Sequence, residues 1–544
     1  MKTIPVVLAA MVAASAAAAL HAQTNQAQTN QAQTKESPIP RLVKKDGRFA
    51  LFVDDAPFLM LGAQAHNSSA WPEVLPDVWR AMENLHVNTV ELPVYWEQFE
   101  PRQGQFDYTV VDALLAGARQ HRMRLVLLWF GTWKNGSQHY MPEWMKLDPV
   151  RYPHMVDKNG RAVDSPSPYA EASLAADKAA FTAFLRHLKA ADPERTVIMV
   201  QVENEPGAWG SLRDYSNTAQ KLFESPVPPE VLAAMHVKSA SPAPNWQDAF
   251  GSEAEVCFHA WSVAKYVGQV AAAGKAVYAL PLYANAALRD PLKPGAPGSY
   301  ESGGPTDNVL PIWKVAAPAI DILAPDIYQN DPAAYRKVLD LYHRDDNALF
   351  VPETGGASNA RFFFTALGLQ AIGFSPFGMD SPESRGSIGP NPNARIAFLE
   401  PWAMNYGLIG PIQRQIARLN FEGKLQAVAE EKGTVTQTLA FGPWNAIVQY
   451  GARRNNRAEG NAEPTGRALV ARLKDNQFLV TGFYSRVEFQ PADTDKHRQF
   501  LKVEEGAYEN DVFKMRRIWN GDETDWGLNF GADPVVLRVS LATY

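Results

Sequence analysis

The segment TVIMVQVENEPG, residues 196–207, carries a β-branched, apolar run into two glutamates, Glu203 and Glu205, and then breaks at Pro206-Gly207. A short apolar run bounded by turn residues reads as a strand covered on both faces, the kind found in parallel sheets. Seven further runs share its texture: PFLMLG (57–62), VNTVELP (87–93), MRLVLLWF (123–130), KAVYALPL (275–282), IDILAPDIY (320–328), ALFVPE (348–353) and AIGFSPF (371–377). Between them lie stretches with apolar residues three or four apart, among them TVVDALLAGARQH (109–121), LAADKAAFTAFLRHLKAA (174–191) and PAAYRKVLDLYHR (332–344). Eight strand–helix units imply an α/β chain built on a closed (β/α)8 TIM barrel, placed over 39–428 with a connecting helical segment at 405–428. An open doubly wound sheet would bring a glycine-rich phosphate loop, and no G-x-G-x-x-G follows the first run.

Outside the barrel the texture changes. From 429 to 544 come short alternating runs such as TQTLAF, NAIVQYG, ALVARL, FLVTGF and VVLRVSL, split by turn formers, which predict an all-β, sandwich-like accessory domain. At the other end, residues 1–22 combine one lysine, an alanine-rich apolar run and a small-residue exit. They read as a signal peptide cut after Ala22, so that the mature chain is exported, periplasmic or secreted, and is not held in a membrane. Residues 23–38, with TNQAQ repeated, form a polar low-complexity spacer.

Length and composition agree with this plan. The chain has 544 residues, 46% hydrophobic and 20% charged, enough for a large core. Its 52 basic and 58 acidic residues are spread along the chain, which excludes the basic footprint of a nucleic-acid binder. The single cysteine, Cys257, rules out an intramolecular disulfide.

In a (β/α)8 barrel the reactive groups stand at the carboxyl ends of strands, where the loops converge on one mouth. Those ends carry His66, then Tyr95-Trp96, then the stretch from Trp129 through Trp133 to Asn135, then Asn204-Glu205, Tyr328, Glu353 and Phe377. Such an inventory of carboxylates and aromatic planes suits a carbohydrate. Glycosidic cleavage through an oxocarbenium-like state needs one protonated carboxyl at the leaving oxygen and one carboxylate at the anomeric carbon. Glu205 and Glu353, at the ends of strands four and seven, meet that demand. Strand alternation places Glu203 and Glu205 on one face, so a bulge is needed to aim both Asn204 and Glu205 at the mouth, and Glu203 is expected inside the barrel. No second histidine or acidic cluster stands near His66 at ligand spacing, so no metal and no cofactor is expected.

The pattern W-x-x-x-E-P-x-x-G-x-F-D, carried by Trp96, Glu100-Pro101, Gly104 and Phe106-Asp107, with Gly62, His66 and the VENEPG stretch, resembles glycoside hydrolase family 35, the β-galactosidases, in its bacterial branch with a C-terminal β-domain. The resemblance implies Glu205 as general acid/base and Glu353 as nucleophile. Asn204, His66, Tyr95, Trp96, Trp133, Asn135, Tyr328 and Phe377 would contact the sugar, Asn204 at its 2-hydroxyl and Tyr328 beside the nucleophile. The chain departs from the family after strand three, where Gly131-Thr132-Trp133-Lys134 lacks the glutamate that holds galactose hydroxyls, and again at Phe374–Asp380 in the strand-eight loop. The function implied is a retaining exo-β-galactosidase that removes terminal β-galactosyl residues from plant-type oligosaccharides or polysaccharides, such as xyloglucan side chains. Its rivals are a related mannan- or glucan-cleaving glycosidase and a non-catalytic glycan-binding protein.

Overall fold

The computed structural model describes residues 37–239, 241–380, 392–451, 453–454, 457–509 and 511–544. The expected leader at 1–22, and the spacer as far as residue 36, lie outside the described residues. Eight parallel strands close into one barrel, following chain order around the ring: Met60–Gln64, Thr89–Tyr95, Arg124–Lys134, Val197–Asn204, Leu282–Ala287, Ile322–Ile327, Phe350–Thr354 and Gly373–Pro376. They are strands one to eight below. Closure comes from strand eight pairing with strand one, Gly373 opposite Met60 and Phe374 opposite Leu61.

Every residue of strands two, four and six is buried, because side chains on one face fill the barrel and those on the other meet the helices. The helices answer with single apolar stripes. Thr109–Gln120 buries Val111, Leu114, Leu115 and Ala118, one face of a 3.6-residue period. Pro332–Tyr342 starts on an Asp331 side chain that accepts from the Ala333 N–H at 3.2 Å, and it buries Ala334, Tyr335, Val338, Leu339 and Tyr342.

Several boundaries differ from the sequence-based expectation. Pro57 and Phe58, expected at the start of strand one, belong to Ala56–Phe58, the third strand of a small antiparallel sheet with Arg41–Lys45 and Arg48–Val53, and strand one begins at Met60. Residues 275–277, expected in strand five, end the helix Ala254–Val277, and strand five is Leu282–Ala287. The helix end and the loop after it read Ala276-Val277-Tyr278-Ala279-Leu280 without a break, which has the apolar texture of a covered strand.

The C-terminal part is an antiparallel sandwich of a six-stranded and a four-stranded sheet. Trp444, Val448 and Tyr450 of the smaller sheet share a core with Phe478, Val480, Leu537 and Val539 of the larger. Residues 425–428, expected to be helical, form the edge strand Leu425–Ala429 of the six-stranded sheet. This strand lies tightly against the barrel: a β-carbon at Gly368 would stand 2.2 Å from the Ala427 carbonyl oxygen. No described helix is long and apolar enough to cross a membrane.

Candidate active site

Strand four ends in an irregularity that sorts its carboxylates. Glu203 and Glu205 both adopt left-handed backbone, at φ +63° and +43°, a conformation rare for such side chains and associated with functional sites. The pairing with strand three slips at the same place: Trp129 lies opposite Val202, but the next partner of Asn204 is Lys134. This bulge re-aims three consecutive side chains.

Glu203 turns outward, between the barrel wall and the helices. Its Oε2 accepts from the Trp133 N–H at 2.7 Å, and its neighbour is Asp177 of helix Glu171–Ala191, which accepts from Trp129 Nε1 at 3.0 Å and Thr132 Oγ1 at 2.7 Å. Burial pushes both carboxyls above their usual range, so the pair holds a proton between them. The barrel-interior position expected for Glu203 is thus replaced by one under the wall.

Asn204 and Glu205 face the mouth. Lys134 Nζ donates to Asn204 Oδ1 at 2.9 Å and also to Asn135 Oδ1, while Asn204 Nδ2 has no partner among the described residues. The Glu205 N–H donates to Asn285 Oδ1 at 2.9 Å, and Asn285 Nδ2 donates to Asp326 Oδ2 at 2.6 Å. Across the mouth Glu353, one position along strand seven from Thr354 and opposite Asp326 of strand six, is fixed by two donors. Tyr328 Oη donates to its Oε1 at 2.6 Å and Gln64 Nε2 to its Oε2 at 3.1 Å.

These surroundings separate the two glutamates chemically. Burial, and then the negative charge of Glu353, push Glu205 up to about 7, against the pull of the Lys134 cation. Asp326 is held well above its usual range, first by burial and then by Glu353 and Glu205. The mouth thus combines a carboxyl that is protonated near neutrality with one whose oxygens both accept hydrogen bonds.

The remaining expected residues divide. Tyr328, 48% exposed, and half-buried Phe377 line the mouth, with the Phe377 ring edge-on to His66 at 5.3 Å. His66 is anchored by Asp380 Oδ1, which lies 2.8 Å from its N–H and 2.9 Å from Nδ1. Asn135 is exposed at the rim. Trp96 and Trp133 have no exposed surface: Trp96 Nε1 donates to Glu100 Oε2 at 2.8 Å and Trp133 Nε1 to Ser165 Oγ at 3.1 Å, so core packing takes the place of the sugar stacking expected of them. Tyr95 is buried as well, stacked between Trp71 and Tyr140, its hydroxyl accepting from the Ala70 N–H at 3.0 Å. It shapes the loop after strand one and offers no face to a ligand.

Sequence reasoning missed Gln64, Lys134, Asn285 and Asp326. The signal was there: Gln64, Asn285 and Asp326 interrupt apolar strand runs, and a polar side chain in a covered strand requires a partner.

Residues 66–267 match a glycoside hydrolase family model, and the closed barrel carries facing carboxyls at its mouth. The matching model is that of family 42, described as β-galactosidase, and not that of family 35. The family 35 membership suggested by the strand-two residues is therefore corrected. The reason is visible in the fold: Glu100 accepts from Trp96 and from the Gly104 N–H at 2.7 Å, and Phe106 packs on Phe99, so the motif closes on itself as a structural loop. Residues 402–531 match a domain of unknown function (DUF5597). A comparison with curated proteins gives no match.

Among solved structures, the β-galactosidase of Rahnella sp. R3 is similar at 15% identity and TM-score 0.48, over 66% of this chain and 58% of that one. The β-galactosidase of Bacillus circulans sp. alkalophilus follows at 14% and 0.47, over 66% and 57%. The catalytic domain of a Paenibacillus polymyxa β-amylase stands at 12% and 0.46, over 62% and 96%. The matched region spans little more than half of the two β-galactosidase chains.

Proposed function

We propose that the chain is an exported, retaining exo-β-galactosidase acting on terminal galactose of plant-type oligosaccharides or polysaccharide side chains. Glu353 attacks the anomeric carbon while protonated Glu205 gives its proton to the departing oxygen. Glu205, now ionised, then takes a proton from water, which releases the sugar with its configuration kept. Tyr328 and Gln64 hold the nucleophile in line, and Asn204 Nδ2, without a protein partner among the described residues, is free to meet a sugar hydroxyl.

The observation that carries this reading is the contrast between Glu205, raised to about 7, and the doubly anchored Glu353 facing it. Galactose is supported by the description of the family model matched by residues 66–267. Export is supported by the leader-like composition of 1–22. The open rim, with Tyr328 48% and Trp209 52% exposed, suits a branched leaving group.

A panel of chromogenic β-glycosides tests the substrate: the galactoside should be turned over best, and a preference for the glucoside or mannoside rejects galactose. Proton NMR of the first product tests the stereochemistry. β-Galactose is expected, and α-galactose would make the enzyme inverting.

A further inference from the structure

The loops that follow strands four and five are tied together. The Ala208 N–H donates to the Ser302 carbonyl at 2.8 Å and the Ser302 N–H to the Ala208 carbonyl at 3.1 Å. Gly207 permits the approach, since a β-carbon there would stand 2.4 Å from the Ser302 oxygen. This two-way bridge sets the flanking residues side by side: Trp209, 52% exposed, and Glu301, 3% exposed.

Both converge on Gly136. A β-carbon at that position would lie 2.4 Å from Glu301 Oε1 and 3.1 Å from Trp209 Cδ1. The Gly136 N–H in turn donates to the Glu205 carbonyl at 3.0 Å, so this corner adjoins the Glu205 side of the mouth. Glu353, by contrast, is held from strands one and six. Glu301 Oε1 is buried with no hydrogen-bond partner among the described residues. An unpaired buried oxygen of this kind is destabilising unless a ligand group satisfies it. The charges nearest to it are those of Glu205 and Lys134, and Lys134 is already engaged by Asn204 and Asn135. An exposed indole beside a buried, unsatisfied oxygen suits a ring with an apolar face and hydroxylated edges.

We propose that Trp209 and Glu301 form the subsite for the leaving-group sugar, a neutral pyranose that packs on the indole and gives a hydroxyl hydrogen bond to Glu301 Oε1. The assignment rests on Glu205 being the acid/base, because the departing oxygen must lie beside that group. It goes beyond that reading by naming what recognises the aglycone.

The test uses the whole protein with β-galactosyl fluoride as donor and glucose or xylose as acceptor. Fluoride occupies no sugar subsite, and water and acceptor sugar both attack the galactosyl-enzyme with help from the same base. The ratio of transfer to hydrolysis therefore reads acceptor binding and cancels any effect on Glu205. Trp209→Ala and Glu301→Gln should each lower that ratio at least fivefold, with melting curves confirming that both variants fold. An unchanged ratio in either variant overturns the role of that residue, and a parent protein that transfers to neither sugar overturns the subsite. Release of no galactose from the fluoride by the parent protein is a different result, and it removes the galactosidase reading beneath the proposal.

Discussion

Glu203 and Glu205 stand two positions apart on one strand, share left-handed backbone and share a raised proton affinity, yet they occupy opposite sides of the barrel wall. Glu203 is wholly enclosed, with Asp177 and the Trp133 N–H as its neighbours. Glu205 is only partly covered and lies near enough to Glu353 to feel its charge. A perturbed carboxyl is therefore no sufficient mark of catalysis. What separates the two is access: one carboxyl is sealed between protein groups, and the other stands at the mouth, where the proposed mechanism hands its proton to the leaving oxygen.

The sharpest break of this comparison is a set of amide substitutions. In the proposed mechanism Glu353→Gln removes the attacking oxygen and should leave only background hydrolysis. Glu205→Gln removes the proposed general acid and should lower kcat/KM by about 10²–10⁴-fold on a sugar leaving group. Glu203→Gln should keep turnover close to that of the parent protein and act on stability instead. Glu203→Ala, which strands the Trp133 N–H, should lower stability by about 1–3 kcal/mol in urea unfolding. Comparable losses of turnover from Glu203→Gln and Glu205→Gln would erase the distinction between the two sides of the wall.

A second experiment separates a group that touches the reacting atoms from one that orients them. Tyr328 Oη lies 2.6 Å from Glu353 Oε1, a hydrogen bond to a carboxylate worth about 1.5–3 kcal/mol. Tyr328→Phe should therefore reduce kcat/KM by about 10- to 100-fold. The burden should fall mainly on kcat, since the lost bond orients the nucleophile during attack. A loss seen only in KM would make Tyr328 a binding residue.

The same wall explains how much the sequence disclosed. The barrel was legible because parallel strands covered on both faces leave continuous apolar runs, and the ends of strands four and seven place Glu205 and Glu353 at one mouth. Strand five was misplaced, because the apolar run Ala276–Leu280 crosses the end of Ala254–Val277 and the loop after it without a break. Trp96 and Trp133 were misplaced because proximity to a strand end says nothing of which side a ring takes. Beyond Trp129 the bulge of strand three upsets alternation, so Trp133 lands under the wall while Lys134 lands in the mouth. Gln64 meets Glu353, and Asn285 meets Asp326, only after the chain has closed on itself, and no local pattern names these partners. The loop motif after strand two was easy to see and misleading about family, since its residues bond chiefly to one another.

The finest test concerns the charge balance around Glu205. Burial and Glu353 raise its pKa to about 7 and Lys134 lowers it, so kcat/KM should fall as pH rises through about 7, where the general acid is lost. Lys134→Gln removes the lowering charge of that cation, and the alkaline limb should move upward. The same shift has a stability signature. Because the folded pKa lies above the ordinary 4.5, the folded state holds a proton that the unfolded chain releases, so this group favours folding least at alkaline pH. Its contribution declines as pH rises from 4.5 through about 7, and Glu205→Gln should flatten that part of the profile of melting temperature against pH. Glu203→Gln should flatten a window reaching higher, since burial and Asp177 raise that carboxyl further. An alkaline limb that stays in place in Lys134→Gln would show that Lys134 positions Asn204 without tuning the acid, and the two glutamates would then differ by access alone.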